Sequence, residues 1–200
     1  MKVLKITTLV LLLGFVAIQI FAMRSQSKIE MYPYTVIKKY KTFEIRNYEA
    51  SLFTTVKMST SQYDQASRKG FSTLAGYIFG GNETNEKIAM TSPVAMSLDD
   101  SITMMFMVPR NLTQEMLPKP NDENIQFRQV PQKTVAAISF GGWASDKKIK
   151  KYKNLLVQEL KNEGILHTQS FYYLGYNPPY EVFNRRNEII VELIQLEKNQ

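Results

Sequence analysis

The chain has 200 residues, of which 44% are hydrophobic and 22% charged, the balance of one folded domain and too apolar for a disordered chain. It has no cysteine and a single histidine, His167, which excludes a disulfide framework, a thiolate metal site, a thiol nucleophile and a histidine-rich metal cluster. The formal charge of +7 permits contact with anionic partners and says nothing about fold.

The first residues are a separate object. Lys2 and Lys5 precede an apolar run from Ile6 to Met23, and Arg24 follows. Thr7, Thr8, Gly14 and Gln19 alone interrupt the run. At about 1.5 Å per residue this run reaches roughly 27 Å as a helix, enough to cross a bilayer. Residues 1–27 therefore read as a membrane anchor, with secretion after cleavage behind Ala22 as the alternative. Both readings place residues 28–200 outside the cytoplasm, on the periplasmic or extracellular side, because Lys2 and Lys5 hold the N-terminus inside. Without Lys2, Lys5 and Arg24 the charge falls from +7 to +4, which weakens a nucleic-acid reading. The expectation is a monomer without nucleic acid.

The remainder reads as one α+β domain built in two similar halves, about 35–108 and 125–196. Alternation and aromatic content predict strands over 35–39, 43–48 and 52–58. A helix is predicted over 62–79, with Thr60 or Ser61 as its cap and Gly80-Gly81 as its stop. Strands follow over 88–91, 94–98 and 102–108, and a Pro- and Asn-rich link covers 109–124. The order then recurs: strands over 125–130 and 134–140, a helix over 146–163 ended by Gly164, and strands over 170–175 and 188–196. An offset of 82 aligns the halves without a gap, carrying Arg46 onto Arg128 and Asp64 onto Asp146. Two such units can join their sheets into a distorted antiparallel barrel flanked by two main helices, with the N-terminal hydrophobic helix added.

Catalytic motifs are scarce. The sequence has no G-x-S-x-G elbow, no H-E-x-x-H and no phosphate-binding glycine loop, so a binding protein is expected rather than an enzyme. His167 follows a helix end and reads as a loop histidine first, with iron ligation or base chemistry as its weaker alternative. Aromatics crowd 172–183, at Tyr172, Tyr173, Tyr176, Tyr180 and Phe183, and methionines recur at 90, 96, 104, 105 and 107. Flat rings and adaptable thioethers suit a large planar hydrophobe, and equally suit an ordinary core. Lys147, Lys148, Lys150, Lys151 and Lys153 open the second helix, either as a solvated face or as a contact for anionic lipid or ligand carboxylates.

Four ordered blocks carry a family resemblance. Tyr77-Ile78-Phe79-Gly80-Gly81-Asn82 with Lys87-Ile88-Ala89-Met90-Thr91-Ser92-Pro93-Val94 resembles the signature of the SOUL haem-binding family. Phe43-Glu44-Ile45-Arg46 resembles its early strand, and Ser139-Phe140-Gly141-Gly142-Trp143-Ala144 its central turn. Gly175-Tyr176-Asn177-Pro178-Pro179 followed by Arg185-Arg186-Asn187-Glu188 resembles its C-terminal block. The resemblance spans roughly residues 30 to 196. It implies the two-half barrel and non-covalent binding of haem or another tetrapyrrole in a hydrophobic groove. That groove is placed between the first helix (Arg68, Phe71, Leu74, Ala75 and Ile78) and the late loop (Tyr176, Tyr180, Phe183, Arg185 and Arg186). Arg68 or a loop arginine would pair with propionates, while Arg185 and Arg186 read equally as structural partners of Glu188, Glu181 or buried carbonyls. The chain departs from the family at Gly76 and Glu181, where relatives with good haem affinity carry lysines. The alternative function is therefore a module for another hydrophobic molecule or a protein partner, with haem binding lost.

Overall fold

The computed structural model describes residues 6–14, 19 and 29–194. Eleven strands and two long helices follow one another: β1 (Glu30–Met31), β2 (Tyr34–Lys39), β3 (Glu44–Tyr48), β4 (Ser51–Lys57), α1 (Tyr63–Ile78), β5 (Thr91–Ser92), β6 (Val94–Ser97), β7 (Thr103–Met107), β8 (Ile125–Val130), β9 (Lys133–Gly141), α2 (Asp146–Asn162), β10 (His167–Gly175) and β11 (Arg186–Leu193). A 3-10 turn, Gln114–Met116, lies between β7 and β8.

Nine strands form one antiparallel sheet in the order β2-β3-β9-β11-β10-β6-β7-β4-β8. The expected barrel is corrected here to a half-barrel. β2 and β8 stand at its two edges, so the curled sheet does not close on itself. Taken without β2, the order reads alike from either edge once β3, β4, β6 and β7 are matched to β8, β9, β10 and β11.

Alternation along the strands explains the two-faced core. Ala136, Ile138 and Phe140 of β9 and Met104 and Phe106 of β7 pack with Leu74, Ile149, Leu156 and Leu160 of the helices. The intervening Val135 and Ala137, Met105 and Met107 point to the opposite face, where Tyr32, Tyr48, Phe53, Leu174 and Tyr176 fill the space. The methionine-rich β7 is thus core on both faces, and side chains occupy the face away from the helices.

The predicted strand over 88–91 is absent: residues 88–90 have no regular structure, and only Thr91–Ser92 pairs, in parallel with β1. Ile88 still buries its side chain, because the segment packs beneath the end of α1, with the Ile88 N–H donating to the Ile78 carbonyl at 2.8 Å.

The α1 cap also differs from expectation. Gln62 is the N-cap and makes no side-chain cap bond. The Tyr63 N–H donates instead to the Asp146 carboxylate, 2.8 Å away on the first residue of α2. An acid at the start of one helix serves the exposed donors of the other, which ties the two N-termini together. α2 has a local cap, Ser145 accepting from the Lys148 N–H, and the expected stop Gly164 follows it at φ +66°, a left-handed conformation that suits glycine.

Residues 6–14 are helical, and the side chains of Ile6 and Leu9 through Leu13 are exposed. No helix among the described residues is long and apolar enough to cross a membrane. Residues 15–18 and 20–23 of the expected span over 6–23 lie outside the described residues.

Candidate functional site

Four separated sequence blocks meet around one loop, residues 176–185, between β10 and β11. At its base lies Glu188, fully buried on β11. Its Oε2 accepts from Arg46 Nη1 at 2.8 Å and from the Tyr176 hydroxyl at 2.7 Å. Its Oε1 accepts from Ser139 Oγ at 2.8 Å and from both Nε and Nη2 of Arg186, at 3.0 and 2.8 Å. Burial alone would raise the Glu188 pKa; the two guanidinium groups and the Tyr176 hydroxyl outweigh it and hold it below the usual carboxylate value. Burial, then the Glu188 charge, push the neighbouring Tyr48 hydroxyl up to about 12.

Register explains why these residues meet. β3 and β11 both pair with β9, and Arg46 faces Val135 while Ser139 faces Glu188. Arg46 keeps a second carboxylate, Glu44, at 2.9 Å and lies over the Tyr34 ring at 4.4 Å. Arg186 also donates to the Tyr34 hydroxyl at 3.0 Å and lies over the Tyr176 ring at 4.1 Å.

The loop above is held by backbone acceptors. Arg185 Nη1 donates to the carbonyls of Pro178 and Glu181 at 2.8 and 2.6 Å, and Nη2 to that of Asn177 at 3.2 Å. Its guanidinium stacks on the Trp143 ring, 4.0 Å from the centroid. Asn187 joins the loop to the central turn, donating to the carbonyls of Phe140 and Gly142 and accepting from the Tyr173 hydroxyl at 2.7 Å. Ser92, in the block after α1, donates to the Tyr176 carbonyl at 3.3 Å.

The expected groove residues therefore divide. Leu74, Ala75 and Ile78 are buried in the helix–sheet core and Tyr176 in the Glu188 cluster. Arg185 uses both terminal nitrogens on the loop carbonyls, and Arg186 uses Nε and Nη2 on Glu188 and Tyr34, so both guanidinium groups serve the loop and its base. Arg68, Phe71, Tyr180 and Phe183 remain exposed. Arg68 gives one weak bond, from Nε to the Asp64 carbonyl at 3.3 Å, and its terminal nitrogens have no partner among the described residues. Phe71 presents one side outward and meets Phe106 edge-on, with ring centroids 5.4 Å apart.

His167 stands at the opposite end of β10 from the loop, roughly 25 Å away at strand spacing. Its Nδ1 lies 2.6 Å from the Thr168 carbonyl, and its ring packs edge-on against Phe171. The described residues hold no cluster of three or more His, Asp and Glu side chains that would hold a metal ion.

Of the expected groove residues, Ile78 alone lines either of two cavities. A space of about 10 Å³, room for a single water, lies between α1 and β7. A broad depression of about 480 Å³ lies at the β4–β8 edge, between Leu52, Val108, Pro109, Leu112, Gln114 and Gln129. The sequence gives no sign of that depression, because its lining comes from three segments without a shared motif.

Fold and motif cluster define an α+β half-barrel whose shared blocks converge on one surface loop. The SOUL heme-binding protein family model matches residues 29–192, and the chain belongs to that family. It is 29% identical to heme-binding protein 2 of Mus musculus over 157 residues, 74% of this chain and 76% of the relative. It is 27% identical to heme-binding protein 1 of Sus scrofa over 173 residues, 80% of this chain and 91% of the relative. Among solved structures, the C-terminal domain of EcmrR superposes with a TM-score of 0.61 at 11% identity, covering 82% of this chain and 99% of that one, a likeness of fold alone. The family and these relatives are named for binding haem, and haem is the cofactor that membership supports.

Proposed function

We propose that this chain binds haem or another tetrapyrrole non-covalently against the outer side of α1 and the 176–185 loop, on the exported side of a membrane. Family membership over residues 29–192 is the observation that carries the reading. The exposed side chains fit such a ligand. Phe71, Tyr180 and Phe183 offer flat apolar surface, and Arg68 offers a guanidinium whose terminal nitrogens have no partner among the described residues. Bound haem supplies an iron centre whose reactivity its axial ligands tune. The protein's part is to cover the ring and to orient its acidic edge toward Arg68. Arg185 and Arg186 act one step back, by fixing the loop.

Lys2 and Lys5 ahead of the apolar run support the proposed placement outside the cytoplasm, and the exposed apolar side chains of the helix at 6–14 are compatible with a bilayer around it. A second reading, a module for another hydrophobe, is favoured by Gly76 and Glu181 and by the 480 Å³ depression at the other edge of the sheet, a size suited to a small molecule.

Haem titration of the full chain in detergent micelles, followed by Soret absorbance and Trp143 quenching, tests the first reading. A saturable one-to-one spectrum is expected, with Arg68→Ala weakening it roughly fivefold, about 1 kcal/mol for a half-exposed ion pair. Unsaturable association that Arg68→Ala leaves unchanged would remove haem from this site. Saturable binding lost on substitution at Leu112 would move the ligand to the depression.

A further inference from the structure

Four large apolar or aromatic side chains are exposed on adjoining segments: Trp143 at 53%, Tyr180 at 57%, Val182 at 42% and Phe183 at 56%. Folded domains rarely present such a group without a use. Its members belong to one rigid unit, since Arg185 stacks on Trp143 while its own donors hold the carbonyls of Asn177, Pro178 and Glu181. The binding site uses Tyr180 and Phe183 and leaves Trp143 and Val182 unexplained.

Gln19 stands within the apolar N-terminal run, and its side chain is engaged on this same loop. Its Nε2 donates to the Tyr180 carbonyl at 3.1 Å, and its Oε1 accepts from the Val182 N–H at 3.1 Å. The primary amide pairs with backbone on both sides of Glu181, as a neighbouring strand would, and Gln19 is buried. The one polar group in the last third of the run therefore brings the run to the exposed loop. Charge lies beside it. Four residues beyond Trp143, α2 begins its lysine run. Lys148 is held by the carbonyls of Gly141 and Trp143 and Lys153 lies over Phe171, whereas Lys147, Lys150 and Lys151 are exposed.

We propose that Trp143, Tyr180, Val182 and Phe183 form the surface by which the domain rests on a lipid bilayer, with Lys147, Lys150 and Lys151 directed to anionic headgroups. Tryptophan and tyrosine are the side chains that favour the membrane–water boundary, where the ring is apolar and its polar edge wet. Lysines near a charged lipid surface add attraction of about 1 kcal/mol each. Docking would set the mouth of the binding site against the membrane, so that a hydrophobic ligand could pass from lipid to protein without crossing water. The inference rests on the reading that the ligand site at this loop lies beside a membrane, and it stands whether or not residues 6–23 insert.

The sequence provides its own reporters. Trp143 is the only tryptophan, and without native cysteines a Leu12→Cys variant carries one environment-sensitive label on the apolar run. The full chain is reconstituted into phosphatidylcholine–phosphatidylglycerol vesicles with brominated acyl chains. Trp143 emission is expected to shift to the blue and to be quenched by the bromines while the label reports insertion. Serine at Tyr180, Val182 and Phe183 together is expected to abolish the quenching and leave the label inserted, with unchanged circular dichroism showing that the fold survives. An inserted label with unquenched Trp143 overturns the docking surface and leaves the anchor standing. Quenching that the triple variant does not reduce overturns it as well. Quenching without label insertion supports the surface and overturns the anchor. Neither signal means that both fail.

Discussion

Replacing Glu188 by glutamine tests the reading that the shared motifs are spent on architecture. The carboxylate is fully buried and answers two guanidinium groups, Arg46 with 4% of its side chain exposed and Arg186 with 38%. Glutamine keeps the shape, removes the charge and turns one acceptor into a donor that faces Arg186, Ser139 or Tyr176. Breaking a buried pair from one side costs about 3–5 kcal/mol. Arg46 retains Glu44 at 2.9 Å and Arg186 is partly solvated, so the lower end, about 3 kcal/mol, is expected. Against a total of about 5–15 kcal/mol, that is a large fraction. Urea unfolding at neutral pH measures it as a lower midpoint with an unchanged slope. The pH dependence adds a second check. Glu188 has its folded pKa depressed, so its contribution is fully present above the unfolded carboxylate value near 4.3 and is lost as pH falls through the folded value. The gap between wild type and Glu188→Gln should therefore be flat from pH 7 to about 5 and close at more acid pH. A variant within about 0.5 kcal/mol of wild type, the range of ordinary surface substitutions, would refute the argument. So would a gap that persists once the wild-type carboxyl is protonated.

Gly76 is exposed in the last turn of α1 with nothing within 4 Å of an added Cβ, so Gly76→Ala should stabilise by up to about 0.5–1 kcal/mol in thermal or urea unfolding. Gly76→Lys should in addition tighten haem, read by Soret titration, if the family's cation at this place aids binding. Gly70 is the opposite case: a Cβ there would approach Met58 Sδ to 2.7 Å and Met104 Cβ to 3.1 Å, so Gly70→Val should cost about 1–3 kcal/mol by the same unfolding measurement. Asn82 opens a glycosylation sequon, yet its side chain is buried, donates to the carbonyls of Tyr77 and Glu86 and accepts from the Glu86 N–H. Asn82→Ala should cost about 1–3 kcal/mol, and mass analysis after expression in a glycosylating host should find no sugar at Asn82.

The element order was legible along the chain because alternation and helical periodicity are local consequences of burying one face. The segment over 88–91 misled for the same reason: its apolar side chains are buried, but beneath α1 instead of in the sheet, and one-dimensional periodicity does not distinguish the two. Closure of the sheet was equally beyond reach, since it depends on whether β2 and β8 pair across the molecule.

For the site, the motifs named the family and the residue types without their jobs. Arg185 and Arg186 beside an aromatic loop read equally as ligand cations and as structural partners of Glu188, Glu181 or buried carbonyls. A guanidinium, however, serves whichever acceptors are nearest, and folding supplies the carbonyls of Asn177, Pro178 and Glu181 and the Glu188 carboxylate before any ligand arrives. The family resemblance places Leu74, Ala75 and Ile78 on the groove with Arg68, whereas the direction of their helix face is set by β4 and β7 beneath it. Gln19 appeared only as an interruption of an apolar run, and its two bonds to the Tyr180–Val182 backbone span more than 160 residues. Composition, periodicity and motif order depend on neighbours in the chain, so the sequence alone determined class, family and the lack of thiol chemistry. Which cations are free, which rings face outward and which loop the N-terminal run meets depend on contacts distant in sequence, and those only the tertiary structure decided.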